Sequence, residues 1–158
     1  MTLDEITQRA IEPAYALLPA AMRSKEATLM LLAIGLQESR FEHRRQIGGP
    51  ARGFWQFERG GGAAGVLKHP ASRPYAQAIC IPRLLLSLTD IYRALEHDDV
   101  LAAAFARLLL WTDPAPLPAL GATVRAWAYY RRNWKPGKPH PETWPEMYQN
   151  ALSFVLRA

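Results

Sequence analysis

Apolar residues along the chain recur every three to four positions, the spacing of helices that bury one face. Thr2 with Glu5 three positions later forms a potential capping box, which predicts a helix that ends near Pro19. A second helix is predicted from about Ser24 to Glu38, where a mostly apolar run follows a serine cap. No two segments alternate as paired strands do, so the pattern favours an all-α fold.

The glycines are concentrated in one part of the chain. Phe41 to Pro74 holds most of them and has little periodicity, which predicts a loop-rich lobe at about residues 41–74 with a short helix in Ala63–Lys68. From Pro82 the helical spacing returns, with a predicted buried stripe at Leu84, Leu85, Leu88, Ile91, Tyr92 and Leu95. Further helices are predicted over Val100–Trp111 with Asp98 or Asp99 as cap, over Leu117–Asn133, and from Trp144 to Leu156. The expected fold is all-α, or α-helical with a minimal β or loop lobe beside a cleft.

Length and composition indicate one domain spanning residues 1–158. The chain has 158 residues, of which 49% are hydrophobic and 21% charged, as in globular proteins. Its net charge of +5 favours an anionic partner, for which nucleic acid, anionic lipid and the bacterial cell wall all qualify. Cys80 is the single cysteine and no Cys/His spacing suits zinc, so we predict no internal disulfide, no metal and no cofactor.

The N-terminus gives an expectation about location. Met1 to Ile6 lacks the basic start and apolar core of a secretory signal, and no apolar run reaches about 18 residues. We therefore expect a protein that is made in the cytoplasm and is not inserted into a membrane. If its substrate lies outside, a holin, an injection apparatus or a virion must deliver it.

The strongest chemical signal is the segment Glu38-Ser39-Arg40-Phe41, followed by Gln56 eighteen positions after the Glu. Glu38 falls near the end of the apolar helix, which places an apolar wall behind its carboxyl. Such a wall raises the pKa of a carboxyl, and a general acid needs this to keep its proton at neutral pH. The motif thus predicts one catalytic acid in a cleft.

Glu38-Ser39-x-Phe41 and Ala51-x-Gly53-Phe54-Trp55-Gln56 resemble two motifs of the lytic transglycosylases and goose-type lysozymes, at the interval of the transglycosylase pattern. The resemblance implies a lysozyme-like fold. It also implies cleavage of the β-1,4 bond between N-acetylmuramic acid and N-acetylglucosamine in peptidoglycan. A monomeric phage or prophage muralytic protein, either free or part of a virion, is the nearest match, with no nucleic-acid partner expected.

The chain departs from these families in the later helix. Where they carry Ala-Tyr-Asn, this sequence has Phe105 and Ala106, so the hydroxyl that orients the Glu is missing. Tyr129-Tyr130 is the substitute that the sequence offers. Adjacent helical residues point about 100° apart, so at most one of the two faces the cleft, and we expect Tyr130.

The resemblance implies that Glu38 protonates the glycosidic oxygen and then acts as a base on the muramic C6 hydroxyl. The remaining predicted contacts with substrate are Ser39, Trp55, Gln56 and Tyr129. Gln56 suits either an N-acetyl group or the ordering of its own loop. Ser39 suits either substrate or hydrogen bonding beside Glu38, and Trp55 suits either a pyranose face or the core.

Three alternatives stay open. A hydrolytic lysozyme needs a second carboxylate, for which Glu58 is the candidate, although Glu58 also fits an exposed loop residue. Phe105 and Ala106 motivate a non-catalytic virion or wall-binding protein on the same fold. A basic nucleic-acid binder is supported by charge alone and leaves Glu38 and Gln56 unexplained.

Overall fold

Eight helices form the computed structural model of this chain, which describes residues 1–158. They are α1, made of the consecutive segments Leu3–Ile6, Thr7–Ile11 and Glu12–Ala16, then α2 (Lys25–Ser39), α3 (Ala64–Lys68), α4 (Arg73–Cys80), α5 (Leu88–Ala94), α6 (Asp99–Trp111), α7 (Thr123–Trp134) and α8 (Trp144–Arg157). There is no strand, and the expected all-α single domain is confirmed. No helix is both long and apolar enough to cross a membrane.

Polar side chains begin the helices where the sequence predicts. Thr2 and Glu5 form the expected capping box at the start of α1. The Ser24 hydroxyl accepts the Ala27 amide at 3.0 Å, and the Asp98 carboxylate accepts the Leu101 amide at 2.9 Å. These caps satisfy amides that have no partner within their helix, and so they fix where α2 and α6 begin.

The two most apolar helices, α2 and α6, lie within one hydrophobic core. Residues 101–110 of α6 are all buried, and α2 is buried on most of its surface. The C-terminal helix α8 packs along α2. Glu38 stands at the end of a helix embedded in the core, and this position gives its carboxyl an apolar background.

Two predicted helices begin later than the apolar spacing indicates. Leu84 is 81% exposed with a left-handed φ of 57°, so it ends the preceding turn, and α5 starts only after the Ser87 cap. The expected stripe is therefore wrong at Leu84. The helix expected from Leu117 starts at Thr123, because Gly121 has a φ of 85° that a helix cannot include.

The lobe is an irregular loop followed by two helices, α3 and α4. Arg52 and Phe57 exchange backbone hydrogen bonds of 2.9 and 2.8 Å, which close a tight loop around Gly53 to Gln56. At Gly53, which has a φ of 75°, a Cβ atom would lie 2.3 Å from the Leu95 carbonyl oxygen, so only glycine fits. Helix α3 agrees with the predicted short helix, whereas α4 was not predicted.

Candidate active site

Two consecutive left-handed residues reverse the chain at the end of α2. Glu38 lies in the last turn of the helix, and Arg40 and Phe41 both have a φ of 55°. The reversal lays the Phe41 ring against Gly35, where a Cβ atom would lie 2.1 Å from the ring. Gly35 and Phe41 together set the direction in which the chain leaves Glu38.

Ser39 joins the two sequence motifs. Its hydroxyl donates to the Phe54 carbonyl oxygen at 2.7 Å and accepts from the Phe41 amide at 3.1 Å. The side chain is buried, so it holds the lobe loop against the end of α2. This arrangement fits the expected hydrogen bonding beside Glu38 and leaves the predicted contact of Ser39 with substrate without support.

The Tyr130 hydroxyl contacts the Glu38 carboxyl. Tyr130 lies on α7, and its Oη donates to Oε1 of Glu38 at 2.5 Å. The neighbouring Tyr129 points elsewhere, since its Oη donates to the carbonyl oxygens of Leu110 and Ala115 at 3.0 and 3.2 Å. The hydroxyl at Glu38 thus comes from the tyrosine expected, whereas Tyr129 is buried and is not placed to bind substrate.

The surroundings of Glu38 favour its protonated form. Burial raises the pKa of Glu38 from 4.5 to about 7, and the negative charge of Glu58 adds to the rise. The Tyr130 hydrogen bond and His140 both lower this pKa, because they stabilise the carboxylate. Near neutral pH, the carboxyl therefore populates both the acid and the base form, as an acid/base catalyst requires.

An aromatic cluster holds Tyr130 in place. The Tyr130 ring stacks on Trp144 with centroids 5.3 Å apart and an interplanar angle of 3°. Trp127 and Trp134 pack against the same ring at 5.4 and 6.3 Å. Trp134 also donates its Nε1 hydrogen to the Trp55 carbonyl oxygen at 2.8 Å, which ties α7 to the motif loop. Rings packed this closely restrict the hydroxyl to one position.

Phe105 explains why the hydroxyl does not come from α6. Its ring is fully buried and meets Phe57 edge-on at a centroid distance of 6.4 Å. Phe57 in turn packs against Trp134 at 6.1 Å. An apolar ring suits this position, so the position where the resembling families have tyrosine belongs to the core here.

Trp55 and Gln56, two of the predicted substrate contacts, make hydrogen bonds that hold the lobe loop in place. Trp55 is fully buried and donates its indole hydrogen to the Leu31 carbonyl oxygen at 2.8 Å, so its ring faces the core and not a sugar. Gln56 has a left-handed φ of 51° and donates its side-chain amide to the Gly53 carbonyl oxygen at 2.8 Å. Gln56 therefore orders its own loop, and its side chain is partly exposed.

Glu58 is exposed at the start of the turn Arg59–Ala63. It makes no ion pair within 4.0 Å, and its influence on Glu38 is the long-range charge effect on the pKa. This position agrees with the alternative interpretation of Glu58 as an exposed loop carboxylate. No three His, Cys, Asp or Glu side chains lie close enough together to hold a metal ion.

The segment between α7 and α8 contributes to the site and was not predicted. Gln37, next to Glu38, donates to the His140 carbonyl oxygen at 3.1 Å and accepts from the Thr143 hydroxyl at 3.1 Å. These bonds hold His140 near enough to lower the pKa of Glu38. The contacts join residues more than 100 positions apart, and no local sequence pattern indicates them.

Comparisons with family models, with curated proteins and with solved structures find no match to this chain. The likeness to lytic transglycosylases and goose-type lysozymes thus rests on the motif residues alone.

Proposed function

We propose that this protein cleaves the glycan strands of peptidoglycan as a lytic transglycosylase on a lysozyme-like fold, with Glu38 as the catalytic acid and base. The observation that carries the proposal is the carboxyl of Glu38, which has a pKa raised to about 7 and is held by the Tyr130 hydroxyl at 2.5 Å. A carboxyl in apolar surroundings costs stability at neutral pH, so its presence there supports a functional role. The Glu-Ser-x-Phe motif and the Gln56 loop support the same reaction class.

The reaction needs a single group that first donates a proton and then accepts one. Protonated Glu38 gives its proton to the glycosidic oxygen as the bond from the muramic C1 to that oxygen breaks. The resulting carboxylate then takes the proton of the muramic C6 hydroxyl while O6 bonds to C1. The product is a 1,6-anhydro sugar, and Glu38 is protonated again. No second carboxylate is needed.

Tyr130 acts as a positioning residue in this scheme. Its hydrogen bond favours the carboxylate form, which appears after the first proton transfer. Burial, and then the nearby Glu38 charge, raise the pKa of Tyr130, so its hydroxyl keeps the proton that it donates to Glu38. A fixed donor keeps the carboxyl pointing in one direction during both steps.

A lysozyme-like hydrolase using Glu38 with Glu58 is the second candidate. The charge of Glu58 influences the pKa of Glu38, which favours this variant. Glu58 is nevertheless exposed and has no bonded partner that would orient it. A hydrolase would release reducing ends, and a transglycosylase would release anhydro-muramic ends.

Digestion of purified peptidoglycan tests the proposal. We expect the wild type to clear the suspension and release anhydro-muropeptides, with a rate that falls as the pH rises above about 7 because the acid form is lost. Glu38→Gln should reduce clearing by about a thousandfold or more, and exposed Glu42→Gln serves as the control. Reducing ends without anhydro products would assign the reaction to a hydrolase, and unchanged clearing by Glu38→Gln would reject the acid role.

A further inference from the structure

A groove lined by arginines lies on the lobe side of the molecule. It has a volume of about 530 Å³, and Arg45, Arg52, Arg59 and Arg93 all line it. The ring of Tyr92 forms part of the groove, and its hydroxyl donates to the Pro50 carbonyl oxygen. The loop that ends at Arg52 and the helix α5 therefore form opposite sides of one basic depression.

Carboxylates of the protein neutralise only part of this charge. Glu96 pairs with Arg45 at 3.2 Å and with Arg52 at 3.1 Å, and its side chain is 13% exposed. The side chains of Arg59 and Arg93 have no carboxylate oxygen within 4.0 Å, and the one side-chain hydrogen bond that they make runs from Arg59 to the Thr89 hydroxyl at 3.4 Å. Two guanidinium groups thus stand exposed and unpaired in the same groove.

The groove is linked to the candidate active site through the chain segment from Arg52 to Arg59. Arg59 directly follows Glu58, whose charge acts on Glu38, and it begins the turn Arg59–Ala63. Arg52 exchanges backbone hydrogen bonds with Phe57 at the base of the Gln56 loop. Arg52 and Arg59 of the groove thus flank the loop that carries Gln56 and Glu58.

We propose that the groove binds carboxylates of the stem peptides that branch from the muramic residues, so that the protein recognises peptide-bearing glycan. This inference rests on the proposed function. In intact strands the sugar backbone itself offers no charge to Arg59 and Arg93, whereas the stem peptides attached to the muramic residues carry carboxylates. A guanidinium fork matches a carboxylate with two parallel hydrogen bonds, which suits arginine better than lysine.

Equilibrium binding in the Glu38→Gln background tests the groove without relying on turnover. Soluble uncross-linked strands with their stem peptides are compared with the same strands after their carboxylates have been converted to methylamides. We expect Arg59→Gln with Arg93→Gln to weaken binding of the unmodified strands about tenfold and to change binding of the amidated strands far less. The double variant Arg9→Gln with Arg157→Gln removes two exposed arginines outside the groove and controls for the loss of two charges.

The outcomes separate the groove from the proposed reaction. A similar loss on both kinds of strand, or no loss on either, would overturn the assignment to stem peptides even if Glu38 cleaves glycan. Binding of duplex DNA is measured as well. Tight, strongly salt-dependent binding that is abolished only in the groove variant would show that the groove binds phosphates, and this would also overturn the assignment to stem peptides. A selective loss in binding supports the groove even if digestion yields no anhydro products.

Discussion

At the scale of single residues, Glu38 makes the folded state depend on pH in an unusual direction. Its pKa of about 7 in the folded protein lies above the ordinary 4.5, so the folded state keeps a proton that the unfolded chain has already lost. Stability is therefore fully present below about pH 4.5 and declines as the pH rises through about 7. The carboxyl costs the fold stability at the pH where it is useful.

Glu38→Gln should stabilise the protein at about pH 8 and leave its stability unchanged at about pH 4. A pKa rise from 4.5 to about 7 corresponds to about 3 kcal/mol, an upper value because the residue is partly exposed. The Gln side chain keeps an oxygen that can accept from Tyr130. Urea unfolding at the two pH values measures the difference, and Glu42→Gln, on the surface, should show none. Equal stability of the variant and wild type at about pH 8 would contradict the raised pKa of Glu38.

At the scale of elements, the join between α2 and the lobe depends on Gly35. A Cβ atom there would lie 2.1 Å from the Phe41 ring, which is itself packed edge-on against Phe54 and Trp55 at 5.6 and 5.7 Å. The ring has no free space to move into, because it is 1% exposed. Glycine is therefore required at position 35 for the close contact between α2 and the Phe41 ring, although a helix ordinarily disfavours glycine.

Gly35→Ala should destabilise the protein by about 1–3 kcal/mol, because the overlap with Phe41 outweighs the gain of about 1 kcal/mol in helix propensity. Gly65→Ala in α3 is the matched control, since the nearest atom to its Cβ position is a Leu109 methyl at 4.0 Å. That variant should keep or raise stability. Thermal unfolding of both variants gives the comparison, and a stabilised Gly35→Ala would show that the Phe41 ring can move.

Local rules predict the elements of this fold better than their contacts. The caps at Thr2, Ser24 and Asp98 lie at the expected positions, because a cap depends on three or four consecutive residues. Helix α5 starts late because the left-handed conformation of Leu84, a residue that rarely adopts it, cannot be inferred from apolar spacing. Helix α4 has two local signals, which are Pro74 near its start and the helical spacing of its buried residues Ala76, Ile79 and Cys80.

The candidate site shows the same division. Glu38 and Tyr130 could be selected from motif and spacing, whereas Trp55 and Gln56 had two possible orientations that local sequence does not separate. The contribution of His140 depends on two hydrogen bonds across more than 100 residues. Such long-range contacts form only when the whole chain packs.

At the scale of the whole molecule, the lobe and the helices share one core. A single cluster of 41 buried residues runs from Ile6 to Val155 and includes Phe41, Phe54 and Trp55 of the lobe. Trp134 of α7 bonds to the Trp55 carbonyl oxygen, and Ser39 of α2 bonds to that of Phe54. The loop-rich appearance of the lobe in sequence therefore does not make it a separate unit.

This shared core predicts that the protein unfolds in one step. Tryptophan fluorescence reports on Trp55 and on the cluster around Tyr130, whereas far-ultraviolet circular dichroism reports on the helices. The two signals should have the same midpoint in urea, because the lobe cannot leave the core without exposing the rings that hold α7. Gly35→Ala should lower both midpoints together, although its overlap lies at the junction with the lobe. If the fluorescence signal instead changed at a lower urea concentration than the circular dichroism signal, the lobe would open before the helices unfold. The contact between Glu38 and Tyr130 would then be lost while most of the fold remains.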